Sequence, residues 1–246
     1  MSGPLRLDHG AVMRLTLAAP RANALEPGLL DAIRRALDTV EAAAPEALLI
    51  AGGRNFCSGG DVARFRDAAR EGRAVDYARQ VVPVLQDIVL RLLALPCTVA
   101  VAARGAVTGG GAGFLFAADL AVVAPDCFVQ PYYAAMGFAP DGGWTALLPE
   151  RIGAGAALAW LAADRRVDAG GLVARGLAQA VGDRPEDRAA DLLADTDPAT
   201  RRHLRALVWD DARRAAAARR LDAETEAFMD MIARPETLHR MEHFLS

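Results

Sequence analysis

The sequence predicts an α/β layered fold followed by a helical region, and three observations carry that expectation. Short apolar runs of strand length recur, longer stretches with helical spacing separate them, and the connections are rich in glycine. Residues 11–17 set Met13, Leu15 and Leu17 on one side and Arg14 and Thr16 on the other, the period of a half-buried strand. Pro27 suits a first helical turn, and Leu29, Leu30, Ile33, Leu37 and Val40 follow at helical spacing. Residues 47–51 read as a short buried strand ended by Gly52 and Gly53. A second helix runs through Val81, Leu85, Ile88 and Leu92 and stops at Pro96. Residues 97–103 form the next buried strand. The five glycines between Gly105 and Gly113 read as a tight loop leading into a helix, and 119–124 and 127–130 as two more strands.

After Pro149 the character changes. Residues 154–163, 168–176, 186–194, 198–208 and 211–233 read as helices, and only 177–181 as a strand. The 246 residues therefore divide into an α/β core, 1–182, and a helical lid or oligomerisation region, 183–246.

Composition removes several function classes. With 53% hydrophobic and 24% charged residues the chain is globular, and a net charge of −3 argues against nucleic acid as a partner. No apolar run approaches the roughly 20 residues that span a bilayer. Met1 to Asp8 shows no basic segment before an apolar one, so no secretory signal is expected, and the cytoplasm is the expected location. All 28 basic residues are arginine, which excludes a Walker-type lysine and Schiff-base chemistry. Cys57, Cys97 and Cys127 form neither a disulfide framework nor a zinc knuckle by spacing. His239-Arg240-Met241-Glu242-His243 matches a zinc-peptidase pattern, but no sequence follows to supply a third ligand, so a solvated terminal helix and no metal are expected.

Three segments carry candidate chemistry, each with a plain structural alternative. Asn55 to Asp61 contains Ser58, Gly59 and Gly60 between a strand and a helix, and Asp61 can cap that helix; it is a backbone ligand site or a simple turn. Thr108 to Gly113 departs from the dinucleotide fingerprint because position 114 is Phe, and it reads as a close backbone approach or as tight helix packing. Pro140-Asp141-Gly142-Gly143 reads by local rules as a turn.

Together these segments resemble the crotonase superfamily, the enoyl-CoA hydratase/isomerase family. The resemblance begins at Pro20-Arg21-Ala22-Asn23-Ala24-Leu25 and runs through Phe56 to Asp61, Gly105 to Gly111, Ala118-Asp119-Leu120 and Gly137 to Gly143. It closes with Leu148 to Gly153 and Asp168 to Leu177, covering about residues 5–182. It implies a spiral of β-β-α turns, a homotrimer or pair of trimers, an acyl-CoA thioester as ligand and no separate cofactor. It also implies an oxyanion hole from the backbone N–H groups of Gly60 and Gly110. Arg21, Ala22, Ala24, Ser58, Gly59, Asp61, Gly109, Tyr132 and Tyr133 are the implied substrate contacts, Arg21 for phosphate. Phe65, Tyr77, Phe138 and Trp144 are expected with the two tyrosines to size the acyl pocket.

Two departures shape the functional expectation. Hydratases of that family use two glutamates, and the matching positions here are Gly113 and Tyr132. Asp141 remains, in a context where related isomerases carry an Asp. The expected activity is therefore an acyl-CoA isomerase with Asp141 as sole acid and base. The alternatives are a hydratase, lyase or hydrolase of the same superfamily, or a CoA-binding protein without catalysis.

Overall fold

The computed structural model describes residues 3–246. The reading of the N-terminal stretch also takes in Met1 and Ser2, which lie outside the described residues. In chain order the strands are β1 (Leu5–Asp8), β2 (Val12–Leu17), β3 (Ala47–Ala51), β4 (Thr98–Ala103), β5 (Ala106–Thr108), β6 (Leu120–Val123), β7 (Phe128–Gln130), β8 (Val167–Asp168) and β9 (Ala180–Val181). They form a larger sheet in the order β1-β2-β3-β4-β6-β9 and a smaller one in the order β5-β7-β8. β1 pairs antiparallel with β2, and every other pair in the larger sheet is parallel.

β3 and β4 are buried at every position, which parallel strands require when both faces are covered. Alternation along them divides the molecule. Leu48, Ile50, Val99 and Val101 join the main core with the helices Pro27–Ala43 and Ala74–Ala94. Ala47, Leu49, Ala51, Ala100 and Ala102 face Ala189 and Leu193 of the helix Pro185–Ala194. Both helices of the main core bury the faces their spacing predicts.

Two expectations need correction. The stretch from Gly105 is more than a loop: Ala106–Thr108 is a strand because the parallel partner β7 lies beside it. β8 is a further strand after Pro149, two residues long and held only by its antiparallel pairing with β7. The C-terminal helices fold back on the core. Asp211–Ile232 lies along Ala74–Ala94, and Pro235–Phe244 packs on the helices Val62–Arg70 and Tyr133–Met136. Among the described residues no helix is long and apolar enough to cross a membrane.

Candidate active site

The glycine segments meet because the chain at Cys57 pairs in parallel with β5 at Val107. Cys57 N donates to Ala106 O (3.0 Å), Thr108 N to Cys57 O (3.0 Å) and Leu25 N to Gly59 O (2.8 Å). Gly109–Gly111 form a 3-10 turn that opens the helix Ala112–Ala117. Gly110 therefore falls among the first N–H groups of a helical run, which have no acceptor within it. Asp61 caps the helix Val62–Arg70, accepting from Ala63 N (3.0 Å) and Arg64 N (3.2 Å). That helix presents Phe65 so closely that a Cβ on Gly60 would stand 2.8 Å from its ring.

Arg21, Ala22 and Asn23 lead into this wall with φ of 53°, 57° and 56°. The left-handed run is held by Asn23, whose Oδ1 accepts from Ala19 N (2.8 Å) and whose Nδ2 donates to Asn55 O (3.1 Å) and Phe56 O (2.9 Å). Ala22, expected as a substrate contact, is not on the cavity wall; its carbonyl accepts from Ser58 N at 3.0 Å. Arg21 does reach the cavity, but its guanidinium is paired with Asp61, and Glu26 lies 3.7 Å away.

The opposite wall is built of side chains. Asp141 is buried, and Tyr133 Oη donates to its Oδ1 (2.5 Å) and to its carbonyl (3.2 Å). A Cβ on Gly110 would stand 2.9 Å from Asp141 Oδ1, so only glycine leaves the carboxylate its place. Burial pushes the Asp141 carboxyl up to about 6, with the Tyr133 hydrogen bond pulling the other way. Burial and the Asp141 charge push the Tyr133 phenol well above its ordinary value, so it stays a neutral donor. Asp164 fixes the tyrosine turn by accepting from Tyr132 N (2.6 Å) and Ala135 N (2.9 Å).

The loop around Asp141 explains the missing carboxylate at 113. Gly142 has φ +65° and its carbonyl would stand 2.3 Å from a Cβ on Gly113. A side chain at 113 has no room while the Asp141 loop keeps this path. Below the loop lies a residue the sequence reading passed over, Glu224, whose Oε2 accepts from Gly143 N (2.8 Å). Its Oε1 accepts from Thr145 N (2.5 Å), Thr145 Oγ1 (2.7 Å) and Ala146 N (2.9 Å). Its signal was present: Ala217, Leu221, Glu224, Phe228 and Ile232 are the buried seam of one helix, with an acid where an apolar residue belongs.

Between the walls lies a cavity of about 370 Å³ that reaches Arg21, Ala24, Ser58, Gly59, Gly60, Asp61, Gly109, Gly110, Tyr132, Tyr133 and Asp141. Phe65, Phe138 and Phe228 line its apolar part, with ring centroids 5.2–5.7 Å apart. Two residues expected to size it stand behind it instead. Tyr77 packs on the far side of Phe65 (4.9 Å), and Trp144 is fully buried, donating to Gly109 O at 2.8 Å. His239 is exposed, Glu242 accepts from Arg70, and no group of three metal-ligating side chains assembles among the described residues.

The sequence profile of the enoyl-CoA hydratase/isomerase family matches residues 8–245. Cyclohexa-1,5-dienecarbonyl-CoA hydratase of Thauera aromatica is 33% identical over 173 residues, 68% of this chain and 63% of that protein. The 1,2-epoxyphenylacetyl-CoA isomerase of Escherichia coli is 32% identical over 145 residues, 58% of this chain and 55% of that protein. The chain thus spans less than two thirds of the length of these curated relatives. An enoyl-CoA hydratase structure from Bacillus halodurans superposes with a TM-score of 0.88 at 19% identity, covering 98% of this chain and all of that one, which shows a shared fold.

Proposed function

The chain belongs to the enoyl-CoA hydratase/isomerase family, and from that premise we propose that it is an acyl-CoA isomerase. The observation that carries this reading is one buried carboxylate, Asp141, set against Gly110 with its carboxyl raised to about 6. Removing a proton beside a thioester carbonyl makes a dienolate whose charge gathers on oxygen. In this reading the N–H groups of Gly60 and Gly110 hold that oxygen, each contributing about 2.7–4 kcal/mol in the transition state. Asp141 takes the proton from C2 of a 3-enoyl-CoA and returns it at C4, leaving the double bond conjugated with the carbonyl. Nothing is consumed, and no second acid is needed. Glu224 does not supply one, because it is buried and its oxygens already accept four hydrogen bonds.

A 3-enoyl-CoA assay tests the proposal. Turnover should rise with pH through about 6, because the base works when Asp141 is ionised. Asp141→Asn should lose about 10²–10⁴-fold in turnover with little change in CoA affinity. Full isomerase activity in that variant would overturn the reading, as would efficient hydration of a 2-enoyl-CoA by a parent that does not isomerise.

A further inference from the structure

Glu224 is the one acidic side chain of the C-terminal helices that is almost fully buried, at 4% exposed, and no arginine or histidine pairs with it among the described residues. A buried carboxylate without a cation is costly unless every lone pair is used. Here all its partners come from one short segment, Gly143 to Ala146, which begins two residues after Asp141. An apolar residue would satisfy this helix seam at lower cost, so the acid's function lies in what it grips.

We propose that Glu224 is a positioning residue for the reaction: by gripping the segment that follows Asp141, it fixes where the Asp141 carboxylate stands against Gly110. This rests on Asp141 being the base. The geometry leaves little slack. Gly142 lies between the two acids, and a Cβ there would stand 2.7 Å from Gly110 O, so any drift of the loop is felt at the Gly110 turn. The grip also depends on charge. An ionised carboxylate is purely an acceptor and matches four donors. A protonated one brings an O–H into a ring of donors and must release at least one of them.

The titratable groups facing Glu224 across the loop are Asp141 and Tyr133. On the helix Ala74–Ala94, Gln86 is engaged with Asp222 (2.5 Å) and Thr225 (2.8 Å) of the Glu224 helix, and Arg220 on that same helix is taken by Glu150 (2.7 Å). Burial, with Asp141 adding to it, raises Glu224 to about 7. Two protons, not one, then separate the working site from the acid form.

The experiment is the pH profile of kcat for a 3-enoyl-CoA. In the parent, log kcat should fall in two stages as the pH drops, a first loss of about 10- to 100-fold as Glu224 takes its proton and then a limb of slope one as Asp141 takes its own. Glu224→Gln should lose about 10- to 100-fold in kcat at pH 8 with KM nearly unchanged, and its acid limb should fall with a slope of one. A merely structural role would lower the melting temperature and the active fraction but give parent and variant pH profiles of the same shape, and that result overturns the proposal. Thr145→Val guards against a variant that fails to fold. It removes one donor to Glu224, so the upper of the two pKa values should move up, and an unmoved value counts against the proposal. If Asp141→Asn keeps its isomerase activity, the base assignment fails by itself. Carboxyl 13C NMR then reads the placement directly: the chemical shift and titration of Asp141 should differ between Glu224→Gln and the parent, and an unchanged shift and titration overturn the role of Glu224.

Discussion

The two walls of the cavity are made of different materials. On one side Gly60 and Gly110 offer backbone, placed by loops that are tied together by main-chain hydrogen bonds. On the other side Asp141 and Tyr133 offer side chains, and Glu224 holds their loop from beneath. Backbone donors carry no proton that titrates, and their place is set by strand position. The carboxylate wall changes its charge with pH, and its place is set by a chain of hydrogen bonds. One site thus combines a part indifferent to pH with a part governed by it.

Substitutions at three positions probe that contrast beyond the Asp141 and Glu224 variants. The largest effect belongs to the backbone wall. Gly110→Pro removes the N–H, and turnover should drop at least about 10²-fold below that of Gly110→Ala, which adds the same Cβ but keeps the donor. Equal rates in the two variants would take the Gly110 N–H out of the mechanism.

Tyr133→Phe strikes the other wall more gently. The Tyr133 hydrogen bond favours the ionised Asp141, so its loss raises that carboxyl above about 6, and the acid limb moves to higher pH. Activity at pH 7 should fall about 10-fold, and most of it should return at pH 8.5. A limb that moves to lower pH would contradict the arrangement. Arg21→Ala should do least. Arg21 is 55% exposed and already paired with Asp61, so CoA affinity should weaken only about two- to fivefold with kcat unchanged, measurable by calorimetry.

The same contrast governs what could be read in advance. The segments that hold Gly60 and Gly110 stand out locally as glycine-rich stretches between a buried apolar run and a helix, but the choice of these two residues as backbone donors comes only through the family resemblance. Asp141 was legible only through the family resemblance, since Pro-Asp-Gly-Gly by itself describes a turn. Glu224 was not read at all, because residues 211–233 stand out first as an Ala- and Arg-rich helix and the acid's seam shows only when every fourth residue is followed. Ala106–Thr108 was hidden for a related reason. Three residues inside a glycine-rich stretch carry too little periodicity, and their pairing with Phe128–Gln130 is a tertiary fact. Trp144 misled because an aromatic near a site suggests a pocket wall, whereas its indole serves as a brace behind Gly109.

The left-handed run Arg21–Asn23 has a consequence for how the cavity breathes. Non-glycine residues held in that conformation cost about 1–3 kcal/mol each, so this stretch cannot keep its shape unaided. Its backbone fasteners lie on the loop Asn55 to Gly59 or on Asn23 itself, and the Arg21 side chain adds its pairing with Asp61. Once that loop lifts, the run relaxes to ordinary dihedrals and leaves with it. The two strands of chain should therefore open together, and hydrogen exchange should show the amides of Ser58 and Leu25 sharing a single process. A bulky ligand bridging Ala24 and Ser58 would bind the closed form alone, so its residence time would be set by this latch.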